Sequence, residues 1–151
     1  MAGDKLIADN RRARHDYELL DRFEAGLVLT GTEVKSLRAG RVSLAQAFAE
    51  VRDGEVWLVG AEIATYEQGN IANHQPSRDR KLLLRRGEIA SLYGKVREKG
   101  LTLVPTRMYW KNGRAKVELA LARGKQTIDK RRDIAKREAE RSMQRALKAR
   151  R

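Results

Sequence analysis

Apolar and polar residues alternate with a period of two through most of the first 122 positions, the signature of half-buried strands. In "FEAGLVLTG", Phe23, Ala25, Leu27 and Leu29 share one face, and Glu24, Val28 and Thr30 share the other. "AFAEVRDGEVWLVGAEI" reads as two strands around Asp53-Gly54, a type I′ hairpin signal because both turn residues need positive φ. "TLVPTRMYWKNGRAKVELALA" repeats the device around Asn112-Gly113, with Val117, Leu119 and Leu121 on one face. "RKLLLR" is a short apolar run of the buried-strand kind.

Two stretches switch to helical spacing. In "RRGEIASLYGKVREKG", Ile89, Leu92, Tyr93 and Val96 fall on one face, Glu88 sits near the positive N-terminus, and Gly100 supplies a stop. In "GTEVKSLRAG", Thr32 is the expected cap, Glu33 complements the dipole and Gly40 ends the helix. Only Val34 and Leu37 look buried there, which leaves Glu33, Lys35, Ser36 and Arg38 outside. Strands at hairpin spacing with inserted short helices predict a mainly β fold, a small closed or nearly closed antiparallel barrel. "NIANHQPSRDR" reads as a polar loop held by Pro76, and residues 1–9 as a loosely held segment. The barrel is expected over residues 1–122 and a separate unit over 123–151.

That unit breaks the pattern. "DKRRDIAKREAERSMQRALKARR" has helical composition, but its apolar stripe is narrow: Ala135, Ala139, Met143 and Leu147, four apart. Burying Met143 and Leu147 would gain roughly 1.5–3 kcal/mol each. Ordering the backbone costs about 1 kcal/mol or more per residue, and helices of this length are marginal in water. A tail disordered when free, and helical where its charge is neutralised, is the expectation.

Charge gives the partner class. The chain carries a net charge of +13, and residues 123–151 alone hold 12 basic and 4 acidic residues, a net of +8. Such density gains by meeting a polyanion. Basic groups are interleaved with flat side chains: Arg11, Arg12 and Arg14 beside His15 and Tyr17; Arg78, Arg80, Lys81, Arg85 and Arg86 in one run; Tyr109 and Trp110 beside Lys111, Arg114 and Lys116. Guanidinium groups meet phosphates, and imidazole and phenol rings stack on unpaired bases. Trp110 reads better as barrel rim. No helix of the body suits a major groove, so shaped RNA is favoured over duplex DNA. Glu24, outside in a basic protein, accepts hydrogen bonds from base amino groups or forms a surface ion pair; the pattern leaves both open.

Other classes find little support. Cysteine is absent and only His15 and His74 offer imidazole, so disulfides, thiol catalysis and a zinc site are disfavoured. Nucleotide-binding glycine loops and G-x-S-x-G elbows are missing, and His15 next to Asp16 is not by itself an acid/base pair. Neither a cofactor nor a metal is expected. No apolar run is long enough for a membrane span and the start lacks a signal h-region, so a cytoplasmic protein is expected.

"RRARHDY", "FEAGLVLTGTEVKSLRAGR", "RDRKLLLRRGEI", "LYGKV", "YWKNGRAKVELALARGK" and "DKRRDIAKRE", in this order, resemble the SsrA-binding protein family, also called small protein B. The resemblance runs from about Ile7 to Arg137. It implies an oligonucleotide-binding-type (OB-type) barrel that grips the tRNA-like part of transfer-messenger RNA in bacterial trans-translation. It implies no enzyme activity. Partners are that RNA and the stalled ribosome, at its decoding centre and empty mRNA channel, with the protein a monomer bound one to one. Carried over by motif, Asn10, Arg11, Arg14, Glu24, Glu33, Lys35 and Arg38 fall at or near the RNA face, with Lys81 and Leu83 in the matching "RKLLL" block. Arg80 and Tyr17 join them from the basic and aromatic runs, and His15 matches a histidine set against decoding-centre RNA. Gly124 matches the join of barrel and tail. Lys125, Asp129, Lys130, Arg131, Ile134, Arg137 and Met143 belong to the ribosome-binding tail. Relatives often have asparagine where this chain has Arg85, and some carry an aromatic near Ala139. Two other classes compete: a general RNA chaperone or structural ribosome-associated protein, and an RNA-processing enzyme.

Overall fold

The computed structural model describes residues 5–66, 73–124 and 137–145, with backbone alone at 98 and 99. In chain order the elements are β1 (Lys5–Asp9), α1 (Arg11–Asp16), β2 (Tyr17–Leu27), α2 (Gly31–Arg38), β3 (Val42–Ser43), β4 (Phe48–Arg52), β5 (Glu55–Val59), β6 (Glu62–Ile63), β7 (Arg80–Leu83), α3 (Arg86–Lys99), β8 (Thr102–Lys111) and β9 (Arg114–Gly124). Seven strands pair in the order β1-β8-β4-β5-β7-β2-β9, and β8 also pairs with β9. That last pairing closes the antiparallel OB-type barrel, and β3 and β6 form a small separate ladder.

Both hairpins turn as their residues require. Asp53 and Gly54 have φ of 52° and 75°, and so do Asn112 and Gly113. Strand periodicity then fills the barrel: Ala25, Val56, Leu58, Leu82, Leu103, Met108, Val117, Leu119 and Leu121 are buried in one core. Phe23, Leu27, Leu29 and Trp110 pack against it at the margin. Leu92 of α3 closes the core with Ile89 and Val96 beside it, and Gly100 ends that helix at φ 62°.

Several expectations are corrected. Residues 5–9 are not loosely held: they form β1 on the edge of β8, from Lys5↔Trp110 to Asp9↔Arg107. α1 has no apolar stripe to announce it; only Ala13 is buried, and Asn10 caps the helix by accepting from Ala13 N–H at 3.3 Å. The cap of α2 is Thr30, not Thr32, and the Thr30 N–H donates to Glu33 Oε1 at 2.9 Å. Glu33 and Ser36 are buried rather than outside, because Glu33 lies one turn before the buried Leu37. Tyr93 is exposed although it shares helical spacing with Leu92. β9 runs two residues beyond position 122, to Gly124.

Gly60 links β5 to β6 at φ +79°, and a Cβ there would lie 2.6 Å from the Gln46 carbonyl oxygen. Gly60→Ala should therefore destabilise the barrel by roughly 1–3 kcal/mol. A lower denaturant midpoint at unchanged slope is the expected reading, and an unchanged midpoint would contradict it.

Candidate nucleic-acid interface

Register builds the site. Cross-strand partners share a face, and side chains alternate along a strand. On β9 the outward set is Lys116, Glu118, Ala120 and Ala122, and its β2 partners are Gly26, Glu24, Arg22 and Leu19. A register shift between Leu19 and Arg22 turns Leu19 to this outer side. A second shift lies between Pro105 and Arg107 of β8, after which Arg107 and Tyr109 face Glu118 and Lys116. Near its Gly124 end the face is covered by α1, whose Ala13 packs with Val104, Ala122, Tyr17 and Leu19. Farther along it is bare and charged.

Two clusters occupy the bare part. Glu118 accepts from the Thr106 hydroxyl at 2.5 Å and pairs with Arg107 at 3.2 Å and Arg22 at 3.6 Å. Glu24 Oε2 accepts from the Tyr109 hydroxyl at 2.5 Å and from Lys111 Nζ at 3.2 Å. The Tyr109 hydrogen bond holds the Glu24 carboxyl below the usual carboxylate range, against the upward push of burial and with help from Lys111 and Lys116. Burial and the facing Glu24 push the Tyr109 hydroxyl well up. Glu24 is thus ionised and fixed in orientation, with its side chain 38% exposed. Arg107 lies over the Tyr109 ring at 5.3 Å. Beyond Glu24 the side-chain-free Gly26 sits between Leu83 and Lys116, in a shallow groove of about 260 Å³. Leu83 is 52% exposed, the opposite of its buried neighbour Leu82.

Other sequence candidates lie elsewhere. Arg11 is almost fully exposed on α1, Arg14 pairs with Asp9 at 2.5 Å, and His15 Nδ1 meets Asp16 Oδ1 at 3.0 Å. Neighbouring residues do face one another here, which adjacency alone did not establish. Tyr17 pairs with Gly124 at the foot of the β2–β9 ladder. Lys35 and Arg38 are exposed on α2, Lys35 over the Tyr66 ring at 5.2 Å. Lys81 pairs with Glu55 at 2.8 Å. Arg137 and Met143 lie in the helical residues 137–145, all of them exposed. Lys125, Asp129, Lys130, Arg131 and Ile134 lie outside the described residues.

Three candidates are structural in this conformation. Asn10 is buried and donates to the carbonyls of Leu44 and Pro105 at 3.1 and 2.8 Å. Arg80 and Glu33 are fully buried and pair at 2.5 Å. Arg80 spends its remaining N–H groups on the carbonyls of Ala61, Arg78, Gln75 and Pro76. Burial pushes the Glu33 carboxyl up, but Arg78, the Thr30 N–H and Arg80 outweigh it and hold it at about 2. The pair locks α2, which carries the exposed Lys35 and Arg38, to the 75–80 segment. Arg22, Arg107 and Glu118 were absent from the sequence candidates. The two-residue turn at Asn112-Gly113 would have found the last two, since counting back from it pairs 109 with 116 and 107 with 118.

The family model of the SmpB protein matches residues 7–149. The chain belongs to the SmpB family. The SsrA-binding protein of Thermobifida fusca (strain YX) is 64% identical over 149 residues, which cover 99% of this chain and 93% of that protein. That of Desulforudis audaxviator (strain MP104C) is 59% identical over 145 residues, 96% of this chain and 95% of the relative. A solved SmpB-like chain, from a structure described as "tmRNA-SmpB: a journey to the center of the bacterial ribosome", is 56% identical. It superposes with a TM-score of 0.67 over 80% of this chain and 85% of its own. Among the described residues no helix is long and apolar enough to cross a membrane, and no group of three or more His, Asp or Glu could hold a metal.

Proposed function

We propose that this chain binds the tRNA-like domain of transfer-messenger RNA and delivers it to stalled bacterial ribosomes in the cytoplasm. The observation that carries the reading is 56% identity, over 80% of the chain, with a protein described in a tmRNA–SmpB assembly on the ribosome. The geometry supports a division of labour along one face. At one end Glu24, held by Tyr109 and Lys111, offers a fixed acceptor to base amino groups, and Arg22, Arg107, Arg114 and Lys116 meet phosphates. Leu83 and Gly26 give a flat apolar spot for a ribose or base. At the other end α1 presents Arg11, Arg14 and His15 beside Gly124, where the tail departs. Residues 125–151, beyond the end of β9, act as a separate unit that becomes helical in the empty mRNA channel. The protein does this by binding, without catalysis, as a monomer on one RNA.

Pull-down from a bacterial lysate tests the reading: one dominant structured RNA should be retained. A broad spread across messages would favour the general chaperone. Glu24→Gln raises the net positive charge yet removes a charge-assisted acceptor. Binding of the tRNA-like RNA should weaken about tenfold, measured by filter binding at fixed salt. Uniformly tighter binding to every RNA would make Glu24 a repulsive surface charge and nothing more.

A further inference from the structure

A cleft of about 300 Å³ opens between α1, the segment before β4 and the start of β8. It lies at the α1 end of the molecule, away from Glu24. Its floor is made of small apolar side chains, Ala13, Ala47 and Val104, all buried. Alanine at two of these positions is what makes the depression. Tyr17 and Phe48 line it, and Phe48 keeps 39% of its surface exposed. Arg12, Asp16, Gln46 and Thr102 contribute the polar lining. Among the described residues the side-chain polar groups of Tyr17, Gln46 and Thr102 have no hydrogen-bond partner. Asp16, on the rim, is held by His15 at 3.0 Å and Arg12 at 3.5 Å.

From this we infer a nucleobase pocket: one unpaired base of an RNA strand enters the cleft against Tyr17 and Phe48. Its edge is met by Gln46 and Thr102, and its flanking phosphates by Arg12 and the exposed Arg11. The volume sits at the lower limit of small-ligand sites, roughly 300–1,000 Å³, which suits a base with its ribose. Aromatic walls with a polar rim are the chemistry by which single-stranded RNA is held when its bases are splayed out. A site for phosphate alone would need neither the apolar floor nor the aromatic rings.

The inference rests on the RNA-binding reading, and its test keeps the two apart. The isotopically labelled full-length chain is titrated with guanosine 5′-monophosphate and, separately, with inorganic phosphate, while amide shifts are followed by NMR. Saturable shifts at Ala13, Tyr17, Ala47 and Thr102 with the nucleotide, and none of comparable size with phosphate, are expected. Ala45→Trp grows a bulky group into the cleft from an exposed position and should abolish those shifts. Thr102→Val with Gln46→Leu removes two partners and should weaken the nucleotide about tenfold. All these variants should still bind tRNA-like RNA through the Glu24 face. Equal shifts with phosphate, or nucleotide shifts that survive Ala45→Trp, would overturn the pocket. Intact RNA binding with no cleft shifts would sink the pocket and leave the proposed function standing, whereas loss of both would sink the function itself.

Discussion

Glu33→Gln should cost the fold about 3–5 kcal/mol, read as a shift in urea or guanidinium midpoint. The substitution keeps shape and one acceptor but leaves the guanidinium of Arg80, fully buried, without its counter-charge. The wild type should approach the variant in acid. A carboxyl held at about 2 in the fold, against an ordinary value of 4.5, contributes stability that is complete above about 4.5 and is lost as pH falls towards 2. The magnitude implied is about 3 kcal/mol, in keeping with the cost of breaking a buried pair. The gap between wild type and Glu33→Gln should thus be flat at neutral pH and close below about 4.5. A gap that is small at pH 7, or that persists unchanged at pH 2.5, would mean that the carbonyl partners of Arg80 hold the segment without Glu33. Because α2 carries Lys35 and Arg38, RNA binding by this variant should fall with the loss of the fold and recover at temperatures where the fold is restored.

The second large effect concerns the tail. A chain ending at Lys125 should still bind transfer-messenger RNA and fail to support peptide tagging on stalled ribosomes. β9 ends at Gly124, and residues 137–145 are exposed throughout, with Met143 at 67%. A helix that buries nothing against the described body contributes nothing to its stability, so its loss should leave the unfolding midpoint unchanged. Repulsion among its cations and ordering entropy oppose the helix in buffer, so its folding is expected to come from neutralisation by polyanion. Circular dichroism of the isolated tail should show little helix until polyanion is added. Normal tagging by the truncation would remove the tail from the mechanism, and a stable helix in buffer would remove the link between folding and a vacant channel.

The readable parts of the fold were those in which local chemistry has one solution. Asp53-Gly54 and Asn112-Gly113 dictate their turns, Gly100 its stop, and strict alternation the inward set of β2 and β9. Parity would have gone further than it was taken. Arg80 stands two residues before the buried Leu82 in a strand, so it faces inward however basic its neighbourhood. Glu33 stands four before Leu37 in a helix and follows it inside. Charge composition favoured placing both on the surface, and tertiary pairing overrode it. α1 was illegible because a six-residue helix with a single buried alanine leaves no period to detect. The register shift on β2 was equally hidden, since the outward turn of Leu19 depends on which strand lies opposite. Of the site, Glu24 and Leu83 were found; Arg107 and Glu118 were within reach of the Asn112-Gly113 turn, and only Arg22 needed the β2–β9 ladder.

β9 has a mechanical consequence. A single uninterrupted strand carries Lys116 at one end and Gly124 at the root of the tail, about 26 Å apart at the usual rise of a strand. It is stitched on both edges, to β2 and to β8, and contains no joint. A push or twist at the tail root is therefore delivered to the Lys116 end as movement of the whole body, not absorbed by bending. Chain length can vary at the Asp53-Gly54 tip without changing that span, whereas one residue added inside β9 would shift the registration of everything beyond it.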